Sequence, residues 1–289
     1  MPTRRPPYAR RRAATLGCFG LALVILVVGG GSLFGWLRGR GAVAPVPGQE
    51  RCVATVGDSS VVLDLDQAYY TSIIVGMSVR RGLAPRAASI AMATVYQETG
   101  IRNLDYGDRD SVGLFQQRPS QGWGSRKQLM DPYYATGEFY DALVRVRGWQ
   151  TGDITEVAQE VQRSGYPDAY RDHEADARVL ASALTGQSTR AFSCLVRGDD
   201  AGSAEDLGAS LRRTFRSVDP SVAGNEVILQ ASSNRRAWAY AQYAVANASR
   251  HGVTAVETGT WRWATDAYTL PSWGEVAEDR GREVRVTVR

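Results

Sequence analysis

Histidine is almost missing from this chain of 289 residues, lysine occurs once, and cysteine three times. Each scarcity closes off some chemistry. His173 and His251 are the only histidines, and without a CxxC or HxxxH spacing the sequence offers no metal site. Nothing in it calls for a cofactor. Lys127 is the sole lysine beside 33 arginines, a bias that speaks of a GC-rich bacterial genome rather than of a mechanism. Acidic side chains are missing from residues 1–40, which hold seven arginines, so the remainder carries 27 basic against 30 acidic groups. The basic excess therefore belongs to the N-terminus, and the folded part lacks the clustered basic footprint that nucleic-acid binding requires.

Charge is also absent from residues 16–37, an apolar run of 22 positions. At about 1.5 Å per residue such a helix crosses a hydrocarbon core of roughly 30 Å. Arg4, Arg5, Arg10, Arg11 and Arg12 precede it, which predicts a single-pass span with a cytoplasmic N-terminus and an extracellular remainder. A cleaved signal peptide is disfavoured because Pro45 follows Ala42-Val43-Ala44. Cys18 lies at the start of the apolar run, where lipid attachment would need it at the end. Cys52 and Cys194 remain, and an even pair in an oxidising exterior is most simply one disulfide.

The rest is predicted to fold: 44% of the residues are hydrophobic, with seven Trp and thirteen Tyr. The expected order is a basic tail (1–15), the span (16–37), a spacer rich in Gly, Ala and Pro (38–51), a first domain (52–195), a linker (196–204) and a second domain (205–289). In the first domain the spacing predicts helices over 65–81, from Pro85 to a stop at Gly100, and over 132–147, 154–163 and 171–184. Residues 103–124, rich in Asp, Gly, Ser and Pro, should be mostly loop. In the second, Asn234 is expected to cap a helix that Gly252 closes, and residues 254–256 and Val284, Val286 and Val288 read as strands. The predicted fold class is a mainly α domain followed by a small α+β domain.

Glu98 falls in the last turn of the second predicted helix, on a face otherwise made of Ile90, Ala91, Thr94 and Val95. Apolar neighbours raise a carboxyl pKa and suit it to general acid catalysis, although a lone Glu at a helix end is more often a solvated surface group. The context strengthens the first reading: Gln97-Glu98-Thr99-Gly100 is followed by a polar stretch and then by Gly113-Leu114-Phe115-Gln116. This arrangement resembles the lysozyme-like superfamily, in particular soluble lytic transglycosylases and goose-type lysozymes. Over about residues 60–190 the chain also looks like domains of actinobacterial cell-wall hydrolases. Thr99 stands where that family usually has Ser.

The resemblance implies a lysozyme-like fold in which Glu98 is the acid/base that cleaves the MurNAc–GlcNAc β-1,4 bond of a peptidoglycan strand. Gly113, Leu114, Phe115 and Gln116 would then line the sugar groove. VAQEVQRSGYPDAY, residues 157–170, is similar to the late helix in which a tyrosine faces that Glu, making Tyr166 and Tyr170 candidates. Among nearby aromatics, Phe115 and Trp123 are the ones expected to stack on sugar, although such clusters are more often core. Asp110, nearest Gly113, is the candidate second carboxylate that would hold a water for hydrolysis, whereas Asp105 and Asp108 read as turn formers. If none serves, the sugar's own 6-hydroxyl would attack. The C-terminal unit faintly resembles M15-type zinc peptidases but carries Arg285 and Val286 where ligands would stand, so a non-catalytic module is expected. The alternative for the whole chain is a lysozyme-like scaffold that binds glycan without cleaving it.

Overall fold

Alternating side chains at the start of the folded region make a hairpin. β1 (Arg51–Val56) and β2 (Ser59–Leu63) pair antiparallel with Val56 opposite Ser59, and Gly57 takes the left-handed conformation that so tight a loop needs (φ +57°). β3 (Phe192–Leu195) lies along the other side of β1 with Cys194 opposite Cys52, and the two cysteines form the expected disulfide. This computed structural model describes residues 48–163, 169–198, 201–216 and 218–289. The basic tail, the expected membrane span at 16–37, most of the spacer and Tyr166 lie outside the described residues. Among the described residues no helix is long and apolar enough to cross a membrane.

The helices start and stop where their chemistry dictates. α1 (Leu65–Arg80) opens with a reciprocal cap between Asp64 and Gln67, and α2 (Pro85–Thr99) has proline in its first turn and left-handed Gly100 at its end. After the short α3 (Arg126–Leu129) come α4 (Pro132–Leu143), α5 (Ile154–Gln162) and α6 (Glu174–Leu184), the last preceded by a 3₁₀ turn over Ala169–His173. Ala87, Ala88, Ala91 and Ala93 are fully buried in α2, and their small size lets α1, α5 and α6 close in around it.

The expectation of a mainly α domain followed by a small α+β domain does not hold. The described chain is a mixed α and β structure with two antiparallel sheets, one of order β2-β1-β3 and one of six strands. The second sheet runs β4-β5-β9-β6-β7-β8, built from β4 (Ser221–Ala223), β5 (Glu226–Gln230), β6 (Val253–Thr258), β7 (Trp261–Ala264), β8 (Gly274–Glu275) and β9 (Glu283–Val288). β4 and β8 are too short to show a period, and the Cys52–Cys194 pair that marks the β1–β3 ladder is 142 residues apart in sequence.

Residues 48–289 form one compact unit. α7 (Ala204–Phe215), α8 (Asn234–Ala246) and α9 (Ala248–His251) complete it. The cap of α8 is Ser233 rather than Asn234, and the helix breaks at Asn247 before the short α9 reaches Gly252. α8 packs on β6 and β9 and also on α1, α6 and β3. Polar side chains stitch the same seam: Asn247 Nδ2 donates to Ser72 Oγ at 2.9 Å, and Gln242 Nε2 donates to the Ala183 carbonyl at 2.6 Å. In the stretch expected to be a linker, Arg197 donates its backbone N–H to Glu50 at 2.6 Å and its Nε to the Ala267 carbonyl at 2.9 Å.

Candidate active site

The site grows from the end of α2. Gly100 ends the helix, and Thr99 turns its hydroxyl both to the Val95 carbonyl (3.1 Å) and to the Leu114 carbonyl (3.0 Å). The helix end is thereby fastened to the Gly113–Gln116 turn. That turn spans the bridge between Val112 and Gln117, with the Gln116 N–H donating to the Gly113 carbonyl at 3.3 Å. Only glycine fits at 113: φ is +80°, and a Cβ would stand 2.4 Å from the Leu129 carbonyl oxygen.

Glu98, the penultimate residue of α2, is half-buried beside this turn. Tyr170 Oη donates to its Oε1 at 2.7 Å, and Gln162 Nε2 reaches the same oxygen at 3.4 Å while donating to the Phe115 carbonyl at 2.7 Å. Among the described residues Oε2 carries no hydrogen bond. Burial raises the Glu98 pKa above its ordinary value, and the two donors, which favour the carboxylate, pull it partly back.

The structure sorts the other expected residues. Tyr170 is fully buried with its hydroxyl on Glu98. Leu114 and Phe115 are also fully buried, and the Phe115 ring stacks on Phe139 at 4.6 Å between centroids. Phe115 therefore cannot stack on a sugar, and it is the backbone carbonyls of this pair that reach the site. Gln116 and half-buried Trp123 line a groove of about 820 Å³ together with Arg118, Glu138, Glu160 and Gln162. Gln162 belongs to both places, lining the groove and touching Glu98. It is the residue that sequence reasoning passed over, though it lies within the 157–170 stretch and ends α5 just before left-handed Arg163.

Asp110 is committed elsewhere. Arg118 Nε donates to its Oδ1 at 2.8 Å, and Ser120 supplies its N–H to Oδ2 at 2.8 Å and its hydroxyl to Oδ1 at 3.0 Å. The Arg118 guanidinium and then the Ser120 N–H hold its pKa well below the usual carboxylate range. These bonds suit a fixed loop anchor rather than a base that positions a water. Among the described residues no group of three His, Cys, Asp or Glu side chains could hold a metal ion. In comparisons with known proteins, no family model matches the chain and no curated protein matches its sequence.

Proposed function

We propose that the chain is a membrane-tethered peptidoglycan glycosidase, with residues 16–37 as its tether and Glu98 as its general acid/base. The observation that carries this reading is the Glu98 carboxyl. Burial raises its pKa, only neutral donors touch it among the described residues, and Gln162 links it to an 820 Å³ groove. That volume lies in the range of pockets that enclose a ligand, roughly 300–1,000 Å³.

Glu98 gives its proton to the glycosidic oxygen as the C1–O bond breaks and an oxocarbenium-like centre develops. The commitment of Asp110 to Arg118 and Ser120 favours attack by the sugar's own 6-hydroxyl over attack by a water. That hydroxyl closes on C1 and returns its proton to Glu98, so the acid is regenerated and the product is a 1,6-anhydro sugar. The test is to incubate the full chain in mild detergent with peptidoglycan and to analyse released muropeptides by mass spectrometry beside Glu98→Gln. The expected result is anhydro products, lighter by one water, from the native chain alone. Reducing products would keep the glycosidase and discard the intramolecular route. Silence from both folded proteins, with both sedimenting on the wall, would establish the non-cleaving glycan binder instead.

A further inference from the structure

A second cavity, of about 480 Å³, lies between the C-terminal turns of α1 and α7 and one side of α4, and neither Glu98 nor Gln162 lines it. Five arginines do: Arg80, Arg81, Arg212, Arg213 and Arg216. Two are already spent. Arg81 pairs with Asp141 at 2.6 Å and donates to the Gly137 carbonyl, and Arg213 pairs with Asp131 at 2.6 Å while lying over the Tyr133 ring. Arg80, Arg212 and Arg216 have no carboxylate partner among the described residues. Arg80 donates to the Arg213 carbonyl at 3.2 Å and Arg212 to the Pro220 carbonyl at 3.3 Å, bonds that leave their charges uncancelled. Glu138, the remaining acid of the lining, forms no ion pair with any of these arginines among the described residues, and the Tyr134 hydroxyl donates to the Trp123 carbonyl. Counting every lining side chain leaves two positive charges in excess.

Basic residues in the last turn of a helix offset its dipole, which accounts for a cation at each of these two helix ends. It does not account for five converging on one cavity. The crowding is felt by Arg80, whose pKa is lowered by burial and then by Arg216 and Arg81. An anion of matching charge would relieve it, and unspent guanidinium forks suit the several oxygens of a phosphate better than the two of a carboxylate.

We propose that this cavity, walled by Arg80, Arg212 and Arg216 with Tyr133 and Tyr134 at its side, is a binding site for a phosphate group. A lone phosphate would not fill it, so the site also has room for a substituent such as the glycerol of a phospholipid headgroup. The source is either free phosphate or such a diester, and the two are separable by experiment.

Calorimetric titration of the full chain in neutral detergent, once with inorganic phosphate and once with glycerophosphoglycerol, tests the site. At least one should bind saturably, and Arg216→Gln and Arg80→Gln should each weaken it roughly tenfold. Arg147→Gln removes an exposed charge outside the cavity and should leave binding unchanged. Tighter binding of glycerophosphoglycerol would identify a lipid headgroup as the source, and tighter inorganic phosphate the free ion. Arg212→Gln replaces Arg80→Gln if circular dichroism shows that variant misfolded. No saturable heat with either probe, or equal weakening by Arg147→Gln, overturns the proposal.

Discussion

Glu98 and Asp110 are carboxylates that both precede the Gly113–Gln116 turn, and their surroundings treat them oppositely. Glu98 is half-buried and, among the described residues, hydrogen-bonded by the neutral donors Tyr170 and Gln162 alone, so burial dominates and its pKa rises. Asp110 faces Arg118 and the N–H of Ser120, so its charge is stabilised and its pKa falls. Two neutral side-chain donors offset only part of the effect of burial, whereas a guanidinium joined by a backbone N–H holds the charge and thereby removes the group from proton transfer near neutral pH. The lesson is that being near a glycine-rich turn does not make a carboxylate chemical; its partners do.

The comparison can be broken most forcefully at Glu98. Glu98→Gln should lower glycan cleavage by about 100-fold or more, read from muropeptide release, because a general acid contributes roughly 10²–10⁴. Asp110→Asn should leave the same products at a rate within about tenfold of the native chain; a loss equal to that of Glu98→Gln would make Asp110 a partner in the chemistry. Tyr170→Phe sharpens the contrast by removing a donor that favours the ionised form. Its cleavage rate should fall roughly tenfold, and the basic limb of the pH–rate profile should move upward, since the Glu98 pKa then rises further. A limb that stays in place would show that Tyr170 does not govern the proton.

Smaller effects appear in stability. The folded pKa of Glu98 lies above 4.5, so the cost of its charge is felt as the pH climbs through that folded value. Glu98→Gln should therefore melt roughly a few degrees higher at pH 8, with the gain shrinking toward pH 4.5. Asp110 has the opposite sign. Its folded pKa lies below 3.8, so its stabilisation is complete above that pH and fades as the pH falls toward the folded value. Asp110→Asn should melt lower than the native chain at pH 7, and the difference should close in strong acid.

How much of this was legible beforehand differs by element. Some helix ends are readable because they are written locally: Pro85 and Gly100 bracket α2, and Asp153 and Arg163 bracket α5 within a residue of the expected limits, whereas α4 stops at Leu143 rather than at 147 and α6 starts at Glu174 rather than at 171. Of the sheets, only the strands at 254–256 and at Val284, Val286 and Val288 are readable, and they lie in β6 and β9; the pairing of β1 with β3 is betrayed only by the long-range partnership of Cys52 with Cys194. Glu98 could be found from its place at a helix end before a Gly-rich loop. The fate of Phe115 could not, since a loop aromatic reads as available until Phe139, on another helix, is seen to cover it. Gln162 escaped notice for a related reason: an amide in an amphipathic helix looks like surface until the fold brings the Phe115 carbonyl and Glu98 to it.

The sulfur bridge between β1 and β3 also changes what damage means for this molecule. Cys52 and Cys194 are separated by 142 residues, a stretch that holds Glu98, the Gly113–Gln116 turn, Gln162 and Tyr170. A protease that severs any one peptide bond inside that stretch leaves the two pieces covalently joined. A chain nicked in the exposed 105–109 segment would run as one band until a reductant is added and as two thereafter. Persistence of activity in such a nicked chain would then measure how far the packed core alone keeps the two halves of the site in register.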